Sequence, residues 1–113
     1  MDCIFCKIIS GQIPSDVVYT DDKMIAFKDI SPIAPVHLLI IPREHIASLN
    51  DVTELHTALL GHMVRVAKQL AQREGIATKG YRVVINTGPQ GGQVVQHLHM
   101  HLLGGRELDG RLG

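Results

Sequence analysis

The sequence has no tryptophan and only two tyrosines and two phenylalanines, so it lacks the row of aromatic faces on which proteins stack successive bases of a single strand. It also lacks an excess charge of either sign: 11 basic and 11 acidic side chains cancel to a net charge of zero. Their scatter along the chain excludes the basic stripe that holds a long nucleic acid by counterion release, and leaves room for a single nucleotide. No apolar run nears the roughly 20 residues of a membrane-spanning helix. The start Met1-Asp2-Cys3 has neither the basic segment nor the apolar stretch of a secretory leader. The expectation is a cytoplasmic protein with no membrane partner. Cysteine is scarce too. Cys3 and Cys6 form one C-x-x-C pair, which in an intracellular chain reads as metal ligands or redox thiols rather than a disulfide framework.

What is present suffices for one folded domain over residues 1–113: 45% hydrophobic residues and a mean hydropathy of +0.14 supply a core and exclude disorder. Residues 2–10 predict a short helix that Gly11 stops, with Cys3 and Cys6 on one face. Residues 17–20 and 24–28 predict strands joined by a turn at Asp21-Asp22-Lys23. The run at residues 36–41 is rich in strand formers and apolar on both faces, as a central strand is, with Pro42 as its stop. Asp51-x-x-Glu54 resembles a capping box, and Leu55, Leu59, Met63, Val66 and Leu70 recur at helical spacing until Gly75, a stripe suited to a core or a subunit interface. His56 and His62 lie near that helix's polar flank and read as surface or packing residues. Residues 81–86 and 94–103 predict strands joined by a glycine-rich loop at 87–93. The order implies an α+β fold, an antiparallel sheet with helices packed on it.

Chemistry concentrates in His97-Leu98-His99-Met100-His101. On a strand the three imidazoles point to one face, and Leu98, Met100 and Leu102 to the other. Solvated histidines on an exposed face are one reading. A three-histidine metal site with an open position for hydrolysis is a second. A third uses one imidazole as a nucleophile toward phosphorus, its neighbours orienting it and stabilising charge. The adjacent glycine-rich loop favours phosphorus, because amides from Gly91 to Val94 can approach phosphate oxygens closely.

His97-Leu98-His99-Met100-His101-Leu102-Leu103 matches the alternating signature of the histidine triad superfamily. Asp29-Ile30-Ser31-Pro32 with Ala34, Pro35 and His37, then Ile41-Pro42, Asn86, Gly91-Gly92-Gln93 and Gly104-Gly105-Arg106, resemble its Hint branch of nucleotide-binding proteins in order over nearly the whole chain. The resemblance implies a five-stranded antiparallel sheet with one long and one short helix, paired in a homodimer into a continuous ten-stranded sheet. It implies a hydrolase that splits P–N bonds of purine nucleoside 5′-phosphoramidates and aminoacyl-adenylate-like compounds through a nucleotidyl-histidine intermediate. His99 is then the nucleophile, His101 binds phosphate and helps the leaving group, and His97 and His37 orient the nucleophile. A binding module without significant turnover is the alternative.

On the same resemblance Asp29 takes the ribose hydroxyls, Phe27 and Ile30 line the base slot, and Asn86, Gly92, Gln93 and Val94 lie on the phosphate side with His99 and His101. Val94 stands where many members have serine, so one side-chain contact to phosphate is missing. Lys28 stands where some have histidine. Members carrying the N-terminal cysteine pair hold a structural zinc, and the matching ligands here are Cys3, Cys6, His45 and His97. The chemical step needs no metal.

Overall fold

The computed structural model describes residues 3–111. Its elements are α1 (Ile4–Ile9), β1 (Val17–Thr20), β2 (Met24–Lys28), β3 (Val36–Pro42), α2 (Thr57–Arg73), β4 (Tyr81–Val84) and β5 (Met100–Gly104), with two single 3-10 turns leading into α2. All pairings are antiparallel, in the order β1-β2-β3-β5-β4. The fold is therefore the α+β arrangement of one five-stranded antiparallel sheet with a long and a short helix.

The pleat of β3 and β5 separates two chemistries. On one face Met24, Ala26, Leu38, Ile40, Met100 and Leu102 meet Met63, Val66, Ala67, Leu70 and Ala71 of α2. On the other, Ile25, Phe27, Leu39 and Ile41 meet Cys3 and Phe5 of the α1 segment. The alternation is the period of two expected of strands. The helical stripe is buried from Met63 onward, whereas Leu55 is 93% exposed and belongs to the turn before α2, not to the core.

The helix start differs from the Asp51/Glu54 expectation. Two reciprocal caps precede it instead: Ser48 with Asp51, and Thr53 with His56, whose Nδ1 accepts the Thr53 N–H at 3.0 Å. Each donor is satisfied by the residue three further on, so the pattern is displaced by the 3-10 turns. Asp21 is a second local anchor. Its carboxylate accepts from the Tyr19 hydroxyl, the Lys23 and Met24 N–H groups and His62 Nε2, tying the β1–β2 turn to α2.

Several strand ends correct the sequence reading. β5 begins at Met100, not at residue 94, so only His101 of the triad lies on a strand. In register, Ile40 pairs with Met100, and two residues further on Leu98 would stand against Pro42. Pro42 has no N–H, and its carbonyl is taken by the ring of His97 at 2.8 Å, while the Leu98 N–H goes to the Ile46 carbonyl at 2.7 Å. The ladder therefore ends. β4 ends at Val84 rather than residue 86 because its partner ends too, Val84 being opposite His101. Pro42 itself remains the last residue of β3. The first helix starts at Ile4 with Cys3 as its cap, and Asp2 lies outside the described residues.

Candidate active site and metal cluster

Although His97 and His99 precede β5, the alternation survives: Leu98, Met100 and Leu102 enter the α2 core, and the imidazoles take the opposite side. His97 and His99 are buried. Each ring is oriented by a backbone carbonyl, and since a carbonyl only accepts, each bond fixes which nitrogen carries the proton. His97 donates from Nε2 to the Pro42 carbonyl at 2.8 Å. His99 donates from Nδ1 to the carbonyl of His97 at 2.7 Å. The lone pair of His97 is thereby on Nδ1, and that of His99 on Nε2.

The Nδ1 of His97 faces the metal candidates of the sequence. It lies 3.4 Å from Cys3 Sγ, 3.7 Å from Cys6 Sγ and 3.2 Å from His45 Nδ1, and Cys6 Sγ lies 3.3 Å from His45 Nδ1. All four ligand atoms lie within 4.8 Å of one another. A tetrahedral zinc with bonds of about 2.3 Å to sulfur and about 2.0 Å to nitrogen has donor-to-donor edges of roughly 3.3 to 3.8 Å. The four residues fit that ion by number, chemistry and spacing, and the Pro42 bond supplies the outer-shell support that metal-bound imidazoles use. Burial raises the Cys6 thiol, with Cys3 adding to it, and burial lowers His97, with His45 and His99 adding to it. A cation among them reverses the first effect and favours thiolate.

His101 continues the face. Its Nδ1 lies 2.9 Å from His37 Nε2, a diagonal contact across β3 and β5. His37 Nδ1 accepts the Ile33 N–H at 3.2 Å, so its proton is on Nε2, shared between His101 and, at 3.4 Å, Asp29. That leaves His101 with its own proton on Nε2. Burial, then His99 and His37, push the His101 pKa down to about 4 against the pull of Asp29, and burial likewise lowers His37. Both are neutral near pH 7. Asp29, His37 and His101 also present three close ligand atoms, but the His37 nitrogen facing that cluster carries a proton and cannot ligate a metal. Among the described residues, His97, His99 and His101 do not form a common ligand group: Nδ1 of His97 faces the cysteines and Nδ1 of His101 faces His37, an arrangement that does not favour a three-histidine metal site.

The other expected residues are distributed around this line. Asn86 donates from Nδ2 to the Gly91 carbonyl at 2.8 Å, and Gly92 takes the left-handed conformation, φ +80°. Gln93 is buried and braces the loop, accepting from Gly88 N–H and donating to the Ala47 and Val95 carbonyls. Val94 and Ile30 are 88% and 94% exposed. Lys28 pairs with Asp16 at 3.5 Å on the surface. Asp29 accepts the Ser31 N–H, and Phe27 is buried against Phe5. Phe5 is the residue that sequence reasoning missed. Its ring also makes edge contacts to His97 and to His99, with centroids 5.8 and 5.2 Å away. Its place between the two cysteines was the available signal.

The HIT domain family matches residues 10–108 of this chain. The chain belongs to the HIT family. It is 56% identical over 107 residues, 95% of this chain and 90% of the relative, to the purine nucleoside phosphoramidase of Escherichia coli K12. It is 51% identical over 110 residues, 96% of each chain, to a 14 kDa zinc-binding protein of Brassica juncea. Among solved structures, a HIT family hydrolase of Legionella pneumophila superposes with a TM-score of 0.97 at 51% identity, covering 99% of this chain and 100% of that one.

Proposed function

We propose that this HIT protein is a nucleotide-binding hydrolase that cleaves the P–N bond of purine nucleoside 5′-phosphoramidates through a nucleotidyl intermediate on His99. The observation that carries the reading is the His99 Nδ1–H bond to the His97 carbonyl at 2.7 Å, which leaves Nε2 as the nitrogen that can act as nucleophile. The E. coli relative's name supports the substrate class.

In the first step the P–N bond breaks as the Nε2–P bond forms, and the departing nitrogen takes up one proton from solvent water. In the second, water replaces His99 on phosphorus and releases one proton, so the two steps sum to hydrolysis. Charge on the phosphoryl oxygens is stabilised by the Nε2–H of His101 and by the N–H of Val94, since the Gly91, Gly92 and Gln93 amides are turned to the Gly88 and Pro89 carbonyls. Near neutral pH His101 holds a single ring proton, so its part in departure is to bind the phosphoryl group from which the amine leaves. His37 orients His101, and the His97 carbonyl orients His99. Asp29 takes the ribose hydroxyls, Phe27 and Ile30 the base, and Asn86, Gly92, Gln93 and Val94 the phosphate side. Gln93 spends its side chain on Gly88, Ala47 and Val95 and its own N–H on the Gly88 carbonyl, so it contributes through loop shape.

The zinc reading rests on the four-residue fit at Cys3, Cys6, His45 and His97 and on the zinc-binding name of the Brassica relative. Zinc when bound supplies the charge that holds two thiolates and two imidazoles together. The protein acts as one domain, in a cytoplasm that keeps those thiols reduced; no helix among the described residues is long and apolar enough to cross a membrane. It acts as a homodimer: β4 is an edge strand with Tyr81 and Val83 exposed, and pairing it with its copy across a two-fold axis gives a ten-stranded sheet.

Hydrolysis of adenosine 5′-phosphoramidate by wild type, before and after metal is stripped from a sample that circular dichroism shows folded, tests this. Turnover that survives stripping and disappears in His99→Ala is expected. Activity that zinc alone restores to a folded, stripped sample contradicts it, and nucleotide binding without turnover identifies a binding module.

A further inference from the structure

The hydrogen-bond line at His101 does not end at His37. Its first donor is the N–H of Ile33, in the irregular stretch 29–35 between β2 and β3, where Ile33 is 63% exposed. An exposed loop is a poor place from which to fix a buried ring, unless something holds it. The segment leaving β5 does so. Arg106 donates from Nη2 and Nε to the Ile33 carbonyl at 2.9 and 3.3 Å, and from Nη1 to the carbonyl of Glu107 at 2.9 Å. Beside it Gly105 sits at φ +91°, and a Cβ there would come within 2.9 Å of Pro35 Cβ. Residues 105 and 106 thus grip the loop at two points. A guanidinium is suited to this because its fork can engage one carbonyl from two nitrogens and a second carbonyl from the third.

We propose that Arg106 is a positioning residue for the hydrolysis: by holding the Ile33 carbonyl it aims the Ile33 N–H at His37 and so sets which nitrogens of His37 and His101 carry protons. The consequence follows from donor and acceptor counting. With Ile33 N–H in place, His37 keeps its proton on Nε2, His101 accepts at Nδ1, and His101 presents an N–H on Nε2. If Ile33 swings away, Asp29 at 3.4 Å alone still favours the proton on Nε2, and part of the molecules hold it on Nδ1. His37 Nε2 then accepts, His101 turns its proton to Nδ1, and a lone pair replaces the N–H that faces the site. An anionic phosphoryl oxygen meets repulsion there instead of a hydrogen bond. Arg106 touches none of the reacting atoms. Its effect is a shift between two tautomeric states of a buried pair, felt as the fraction of molecules ready to react.

This inference rests on the hydrolase reading for its kinetic part, and the test separates the two. The imidazole nitrogens of ¹⁵N-labelled protein are observed by NMR at pH 7.5 in wild type, Arg106→Ala, Arg106→Lys and Ile33→Pro, the last of which deletes the donor while keeping the carbonyl that Arg106 holds. Turnover of adenosine 5′-phosphoramidate is measured alongside. The expected result is a single tautomer for His37 and His101 in wild type and a mixture in Arg106→Ala. With it comes a kcat fall of about tenfold against a KM change under about threefold. Arg106→Lys recovers part of both, and Ile33→Pro gives the larger change. Unaltered tautomers in a folded Arg106→Ala or Ile33→Pro protein overturn the proposal. So does a kcat loss without tautomer mixing. Wild type with the expected tautomers but no turnover refutes the hydrolase reading alone, and the tautomer comparison still decides the role of Arg106.

Discussion

His97 and His99 stand two residues apart in one extended segment, both buried and both oriented by a backbone carbonyl, yet they use opposite ring nitrogens. His97 spends Nε2 on Pro42 and turns Nδ1 to two cysteines and His45. His99 spends Nδ1 on the carbonyl of His97 and keeps Nε2 for the site. On the proposed function the same side chain serves as a metal ligand in one place and a nucleophile in the other, decided by which nitrogen is nearest an acceptor. The two are also joined: the carbonyl that aims His99 belongs to His97, so the Cys3, Cys6 and His45 cluster around His97 bears on the orientation of His99.

Removing each partner in turn should therefore have unlike effects. The largest is expected of His99→Ala, a loss of turnover of at least about 10³-fold with the melting temperature little changed, measured by phosphoramidate hydrolysis and calorimetry. Cys3→Ala should act first on stability. Losing one ligand of the cluster is expected to cost on the order of 3 kcal/mol, lowering Tm by about 10 °C, and bound zinc measured by atomic absorption should fall with it. If Cys3→Ala binds a full equivalent of zinc at wild-type Tm, the two histidines are not divided in the way their nitrogens indicate.

Phe5 joins both halves, touching the rings of His97 and His99. Phe5→Leu keeps the apolar volume and removes the ring edge, and is expected to cost about 1 kcal/mol with a kcat loss of a few-fold; a stability loss with wild-type kcat would confine Phe5 to packing. The smallest effect is on pH dependence. His101 is pushed down to about 4 by burial, against about 6.5 in an unfolded chain. Between those values the unfolded chain binds the extra proton, so this contribution is whole above pH 6.5 and is lost as pH falls toward 4. The depressed His37 acts in the same direction. Urea titrations at pH 7.5 and 5 should show a smaller pH penalty for His101→Gln than for wild type.

The sequence made the strands and the two helices legible, because periodicities of two and 3.6 report which side chains face a core. It made the histidine triad and the cysteine pair legible as types and spacings, and the family resemblance added His45 and His97 to the metal candidates. It did not carry the ends of β4 and β5, since these depend on one long-range event, the Pro42 carbonyl turning to the His97 ring rather than to the ladder. Nor did it carry Phe5 as a neighbour of the nucleophile, or the grip of Arg106 on Ile33. The groups that fix tautomers here are backbone carbonyls and one N–H, which are common to all residues and leave no mark in composition. The Asp51 and Glu54 pattern misplaced the helix start because a 3-10 turn shifts reciprocal caps by a few residues.

The central claim is that the free nitrogen of His99 bonds to phosphorus. The direct test is a rapid-quench single turnover with adenosine 5′-phosphoramidate labelled in the nucleotide, the protein being digested under alkaline conditions that preserve a nucleotidyl-histidine. The account predicts label that appears and decays on the peptide containing His99, and none in His99→Ala. Turnover at the wild-type rate with no label on the protein at any time would mean that water attacks phosphorus directly, and would contradict it.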